Sequence, residues 1–559
     1  MRGRRGTTSR SSPRRSRPCC EGSARINRRL TAVERGRTPR RLARSTILVM
    51  GATLASTILG FVREVVYAKF YGTSWELDAF LAASVVPVIL FGVFTGALVT
   101  ALVPLFSDYV NTEREDQAWN LASTVIAVLV VVLGIGAALG AWLAPWYVPH
   151  IYVPAVNRDT PAHVHTAVVM TRWLMPTIVA ASLAGVIGAL LNAYHRFGAA
   201  ALQGFVANVC IIGFVWVAQP RYGAYALVFG ALAGAFVSLL ALLPTFFALR
   251  RFRFAIDLRH PGLVRLGHVL APIAIGSAAG QIALFFDRYF ASHMGEGTIA
   301  GMNFAVKIVG FPQQLFVTAI ATVIFPLFAS QFAHKNRAAM RRSVATGLQM
   351  VIFLTLPSAW GLCMLAGPIV QTLFERGAFT PEATVLCAQL LPFAAVGLVA
   401  LAANVVLTRC LYACGAVRVA IAISVATVVL NVVLSLAWLP SLGARGLLLA
   451  NAVSQTLQTI AFVAVAWRAL GGFPLGAVCV SLLKVGACSA VMAFALAAVQ
   501  ITRTPPAPTM LARVSNLGEH LLFGAFVFLA LARLVDSQEL HLAFDLLLRR
   551  RPRDLVPLP

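Results

Sequence analysis

Acidic residues are scarce in this chain: 20 Asp and Glu stand against 46 Lys and Arg in 559 residues, and charged residues of both signs reach only 12%. A soluble domain carries about 25% charged residues, so the shortage excludes an ordinary water-exposed surface. Neither a Gly-rich phosphate loop nor a nucleophile elbow is present, which argues against ATP-driven and serine-hydrolase chemistry. Metal-ligand spacing is also missing. Cys410 and Cys414 lie one helical turn apart, yet no histidine or acid accompanies them. Most of the nine cysteines sit in apolar stretches, where Cys acts as a small packing residue. His163 and His165 fall in a short polar stretch and read as solvated.

What the chain has in abundance is apolar length. It is 59% hydrophobic with a mean hydropathy of +0.81, and runs of 18 or more apolar residues recur, the signal of membrane-spanning helices. Fourteen are expected, centred in 46–70, 77–106, 121–146, 167–192, 201–218, 224–248, 268–292, 299–328, 345–366, 384–408, 419–438, 446–467, 475–500 and 518–535. No segment between them is long enough for a soluble catalytic domain. The expected fold is an all-α polytopic membrane protein.

The formal charge of +26 is unevenly placed. Residues 1–44 hold 15 arginines and two glutamates, so 13 of the 26 excess charges lie there. This stretch has too little apolar surface to fold alone and lacks the apolar core of a cleavable signal peptide. It reads as a solvated tail or an over-extended start; the rival reading is a polybasic arm for anionic lipid or nucleic acid. With the amino terminus inside, inner loops and the carboxy-terminal tail collect 19 Lys and Arg, among them Arg250, Arg251, Arg253, Arg259, Arg265 and Lys335, against eight outside, including Arg158. That asymmetry places both termini in the cytoplasm.

Four cations lie within apolar segments: Arg63, Arg288, Lys307 and Lys484. The first two stand 225 residues apart in a repeat. Phe61-Val62-Arg63 answers Phe286-Asp287-Arg288, Gly72 answers Gly297, and Pro87 answers Pro312 at the same offset; VPLF at 103–106 returns as FPLF at 325–328. Met175-Pro176 matches Leu391-Pro392, and Asn208 followed by Gly223 matches Asn431 followed by Gly443. The expected organisation is a basic, disordered tail (1–44), a six-helix lobe (45–249), a basic linker (250–267), a second six-helix lobe (268–468), two extra helices (469–536) and a cytoplasmic tail (537–559). Six helices per copy give both lobes one orientation, with a cavity between them. Charges inside lipid are costly and face an interior path, so buried cations in each copy suggest a central anion site.

Two six-helix lobes with cationic opening helices resemble the MurJ/MviN lipid II flippases of the multidrug/oligosaccharidyl-lipid/polysaccharide exporter superfamily. The resemblance covers about 45–535 and rests on LGFVRE (59–64) with Asp78-Ala79-Phe80, LLNAYHRFG (190–198), FPQQLF (311–316), TVIFPLFA (322–329) and LFERGAFT (373–380). It implies a V-shaped cavity with alternating openings, and a polyprenyl-pyrophosphate-linked cell-wall sugar precursor as cargo. A bacterial inner-membrane location follows, with cell-wall synthesis proteins as candidate partners and no nucleic acid. No cofactor is expected; membrane potential, sodium or protons are the candidate energy sources.

Arg63, Lys307 and Arg288 are the residues expected to hold the pyrophosphate, since a cation-lined groove replaces the water that phosphates lose and Arg offers bidentate hydrogen bonds. Glu64, Asp78 and Asp287 are expected to pair with these cations or serve as a gate. Pairs Arg63–Asp78 and Arg288–Asp287 without substrate contact are the plainer alternative. Glu375 and Arg376 match a family motif of uncertain role. Family members carry a second arginine in helix one, an arginine pair in helix two and acids beside the eighth-helix cation. Here Thr57, Leu90-Phe91, Val306 and Gly310 stand there. The thinner lining keeps open another lipid-linked polysaccharide unit as cargo. A drug/cation antiporter of the same superfamily and a polyprenyl-phosphate-sugar glycosyltransferase (from Glu76-Leu77-Asp78) are the remaining alternatives; the first expects acids in the cavity, the second a larger outer domain.

Overall fold

The computed structural model describes residues 39–541, apart from 113, 152–160, 195, 250–255, 318–326, 329, 333, 335 and 503–508. The tail before residue 39, the chain beyond 541, and Arg158, Arg250, Arg251, Arg253 and Lys335 therefore lie outside the described residues. Among those described, there are helices and no strands. Through the first half they run α1 (Pro39–Tyr71), α2 (Trp75–Ala83), α3 (Val85–Leu90), a π-helical turn (Phe91–Gly96), α4 (Ala97–Asn111), α5 (Glu115–Ile151), α6 (Pro161–Leu174), α7 (Pro176–Ala193), α8 (Phe197–Tyr222) and α9 (Tyr225–Phe247). The second half runs α10 (Pro261–Ala291), α11 (Thr298–Pro312), a second π turn (Gln313–Val317), α12 (Arg337–Met364), α13 (Ala366–Phe374), α14 (Pro381–Val396), α15 (Leu398–Ala413), α16 (Val417–Leu442) and α17 (Ala444–Leu470). Two helices follow, α18 (Leu475–Thr502) and α19 (Met510–Leu534).

The chain is an all-α multi-pass membrane protein. Eleven helical spans among the described residues are long and apolar enough to cross a bilayer. Fourteen were expected; the three outside that count fall on α1, α10 and α11, the helices that carry Arg63, Arg288 and Lys307. Local chemistry sets several boundaries. Pro176, Pro261 and Pro381 open α7, α10 and α14, where a missing N–H costs nothing. Thr380 and Thr509 accept from the amides of Ala383 and Ala512 as N-caps.

Packing follows the same pattern in both halves. Helix α8 lies along α1 and α9, and α9 along α7; correspondingly α16 lies along α10 and α17, and α17 along α15. The helices α8 and α16 both stop at glycines of near-identical conformation, Gly223 (φ 53°, ψ −128°) and Gly443 (φ 57°, ψ −134°). That backbone geometry is essentially restricted to glycine, which explains why both positions of the sequence repeat keep it. Where Pro87 and Pro312 remove an N–H, each half also has a π turn shortly afterwards, at Phe91–Gly96 and Gln313–Val317. Helix α18 packs on α12, and α19 on α18 and α13. The largest apolar core crosses between halves, joining Tyr67 and Phe80 to Phe304 and Phe374.

Candidate functional site

A cavity of about 570 Å³ opens between α1, α8, α10, α11 and α17, within the size range of small-molecule sites. Arg63, Arg288 and Lys307 all line it, together with Glu64 and Asp287. Three cations against two carboxylates leave the lining net positive. The repeat explains the convergence: Arg63 lies near one end of α1 and Arg288 near the same end of α10, and equivalent packing turns both inward.

A hydrogen-bonded chain joins the halves across this cavity. Arg63 Nη1 donates to Asn208 Oδ1 (3.2 Å) and Nη2 to Glu64 Oε1 (2.8 Å). Glu64 Oε2 accepts from Asn303 Nδ2 (3.1 Å), and Asn303 Oδ1 accepts from Arg288 Nη2 (3.0 Å). Arg288 Nη1 ends the chain on the Ile299 carbonyl (3.0 Å). Beside it, Asn431 Nδ2 donates to Asp287 Oδ1 (3.4 Å). The asparagines that mark the repeat, Asn208 and Asn431, thus each hold a charged group of the opening helix of their own half.

These partners differ from the plainer alternative pairs. Arg63 bonds Glu64 rather than Asp78, and Arg288 bonds a carbonyl and Asn303 rather than Asp287. Asp287 is held instead by Asn431, and both Arg288 Nη groups are taken up by Ile299 and Asn303. Glu64 is only 3% exposed, while the Arg63 side chain is 26% exposed. Removing one member of a buried pair costs about 3–5 kcal/mol because the other charge is left uncompensated. Arg63→Ala is therefore expected to lower thermal stability in detergent, and Glu64→Gln in the same chain to restore most of the loss; an additive double variant would contradict the coupling.

Lys307 differs from both arginines. It is exposed into the cavity and forms no hydrogen bond or ion pair within 4 Å with any described residue. Lys484 is away from the lining and donates to the Val535 carbonyl (3.3 Å) at the end of α19.

At one end of the cavity the halves are clamped together. Asp78, 1% exposed, accepts from the amides of Gly297 (2.7 Å) and Ala300 (2.7 Å), so it caps the start of α11 across the interface. It forms no ion pair with a described residue. Trp75 N donates to Glu296 Oε1 (2.9 Å), and Ala378 N to the Lys69 carbonyl (2.8 Å). Gly377 (φ 64°) presses so closely on Lys69 that a β-carbon there would lie 2.3 Å from its carbonyl oxygen. Gly377→Ala is accordingly expected to disrupt the clamp, read as increased maleimide labelling of a cysteine introduced at Thr73; unchanged labelling would contradict it.

The motif residues Glu375 and Arg376 shape this clamp. Glu375 pairs with Arg513 of α19 (3.1 Å) and accepts from Thr384 Oγ1 (2.8 Å), while Arg376 donates to the carbonyls of Thr372 and Leu373. His163, expected to be solvated, stacks on Trp75 with ring centroids 3.9 Å apart. Sequence reasoning missed Asn303 and Glu296. Asn303 had a signal: it is a lone amide in an apolar helix, four residues before Lys307 and so on the same face. No group of histidines, cysteines and acids able to hold a metal occurs among the described residues.

Two pseudo-equivalent helical halves that enclose a charged cavity and are joined at one end have the architecture of a membrane transporter. The comparisons name the family. The model for the lipid II flippase MurJ matches residues 67–511, and the chain belongs to that family. A probable lipid II flippase MurJ of Rhizobium meliloti (strain 1021) is 29% identical over 438 residues, which are 76% of this chain and 81% of the relative. A lipid II flippase MurJ of Burkholderia cenocepacia is 27% identical over 430 residues, 75% of this chain and 82% of the relative. Among solved structures, a lipid II flippase MurJ in an inward closed conformation aligns with TM-score 0.74 at 22% identity, covering 90% of this chain and all of that one. An inward-facing multidrug resistance MATE family transporter of the MOP superfamily aligns with TM-score 0.65 at 14% identity, covering 76% and 98%. At these identities the structural likeness concerns the fold.

Proposed function

We propose that this protein moves a polyprenyl-diphosphate-linked saccharide, foremost the peptidoglycan precursor lipid II, from the inner to the outer leaflet of the bacterial cytoplasmic membrane by alternating access. The observation that carries this reading is the meeting of Arg63, Arg288 and Lys307 on one cavity with a net positive lining. A diphosphate cannot cross hydrocarbon bare, whereas its polyprenyl tail stays in lipid throughout. Cations in a low-dielectric cavity replace the water the phosphates shed. The network through Glu64 and Asn303 holds the arginines in place, and Lys307 supplies an uncommitted ammonium.

With both termini in the cytoplasm, α1 runs outward, and the clamp at 69–78, 296–300 and 377–379 faces outside. The described state then closes the outer side, ready to receive cargo from the inner leaflet. Transport requires that clamp to part and a second closure to form at the opposite end. The driving force is assigned to the membrane potential, sodium or protons; one elementary charge across 100 mV is worth about 2.3 kcal/mol.

Membership of a transporter family and the cationic lining speak against the glycosyltransferase and drug-antiporter alternatives. A second cargo class has an observation in its favour. Thr57 lines the cavity where the family resemblance places an arginine, and Leu90-Phe91 stands where it places an arginine pair, neither residue among the cavity lining. Another lipid-linked polysaccharide unit would suit such a lining. Complementation of a bacterium depleted of its lipid II flippase separates the two: restored growth supports lipid II, and absent growth with normal membrane levels favours the other glycan.

A further inference from the structure

Beyond the cations, the cavity has a polar wall. Gln313 and Gln314 line it, and neither forms a hydrogen bond with a described residue. They occupy the π turn Gln313–Val317 that follows α11. A π turn holds more residues per turn than an α turn, so consecutive side chains diverge by a smaller angle and both amides can reach one cavity. Lys307, Phe311 and Gln314 stand at i, i+4 and i+7 on one helix face, and Phe311 also lines the cavity. At 1.5 Å per residue, Gln314 lies about 10 Å from Lys307, on the side away from the clamp.

We infer that Gln313 and Gln314 are specificity-determining residues that read the sugar hydroxyl and acetamido groups of the cargo. This rests on the proposed function and adds the part of the headgroup each wall recognises. Three features fit. Each amide both donates and accepts, which suits hydroxyl and acetamido groups and gives phosphate no net charge to seek. The spacing of about 10 Å from Lys307 places sugars beside the amides when a diphosphate sits at the cations. Phe311, between them, offers an apolar ring face to a sugar ring.

The test compares binding of undecaprenyl diphosphate with that of the same lipid carrying an N-acetylhexosamine disaccharide, by native mass spectrometry on the purified full chain. The wild type is expected to prefer the saccharide-bearing lipid at least tenfold. Gln313→Met/Gln314→Met, and separately the exposed Gln314→Ala, are expected to reduce that preference to threefold or less. Lys307→Ala should weaken both lipids together and keep their ratio. The inference is overturned if the glutamine variants retain the full preference, or if the wild type binds both lipids alike. Loss of both lipids from the wild type would instead overturn the proposed function itself.

Discussion

Lys307→Ala is expected to abolish transport while leaving the protein folded and at normal levels in the membrane. Its ammonium makes no ion pair or hydrogen bond with a described residue, so its removal leaves no such partner unpaired. Substitutions at such positions usually shift stability by no more than about 0.5 kcal/mol. A charge-assisted hydrogen bond to a phosphate is worth about 1.5–3 kcal/mol, so affinity for a diphosphate lipid should fall about 10- to 150-fold. Lys307→Arg keeps the charge and should retain part of the function. Growth of a flippase-depleted bacterium, scored beside membrane protein level, checks this; full rescue by the alanine variant would refute the role. Arg63 gives a different signature, since Glu64 loses its partner and stability falls together with activity.

Asp78→Ala should have the second large effect, on the clamp rather than on the cargo site. Two buried amides, of Gly297 and Ala300, lose their acceptor. Loss of a cap together with the unsatisfied donors should cost about 2–4 kcal/mol, read as a lower unfolding temperature in detergent. The same variant should release the joint between α2 and α11 and raise maleimide labelling of a cysteine placed at Thr73. Asp78→Asn keeps one acceptor oxygen and should lose about half as much. Unchanged stability and labelling in both variants would show that the carboxylate does not hold the clamp.

The repeat was legible because its markers answer to backbone and charge constraints that few residues meet. Gly223 and Gly443 recur because only glycine adopts that turn, and Arg63 and Arg288 because a cation in an apolar run has few places to face. Helix existence was legible from apolar length. Partner choice was not. Proximity along the chain brought Asp78 to Arg63 and Asp287 to Arg288, whereas folding gives Asp78 the amides of a helix more than 200 residues away. Such contacts depend on how two distant helices meet, which no local spacing encodes. The role of Asn303 was not legible for a related reason: its place on the Lys307 face marked it, but a neutral amide in an apolar helix has many uses, and only the positions of Glu64 and Arg288 on either side reveal this one. The π turns also escaped notice, since a proline signals a lost hydrogen bond without saying how the helix recovers.

The most direct measurement is flipping of a fluorescent undecaprenyl-diphosphate disaccharide in proteoliposomes, with wild type and Lys307→Ala reconstituted at equal density under an imposed membrane potential. A cavity that shelters the diphosphate should give protein-dependent transfer by the wild type and only the protein-free background with the alanine variant. Equal transfer by both proteins, or none above background by a wild type that binds the lipid, would contradict the account.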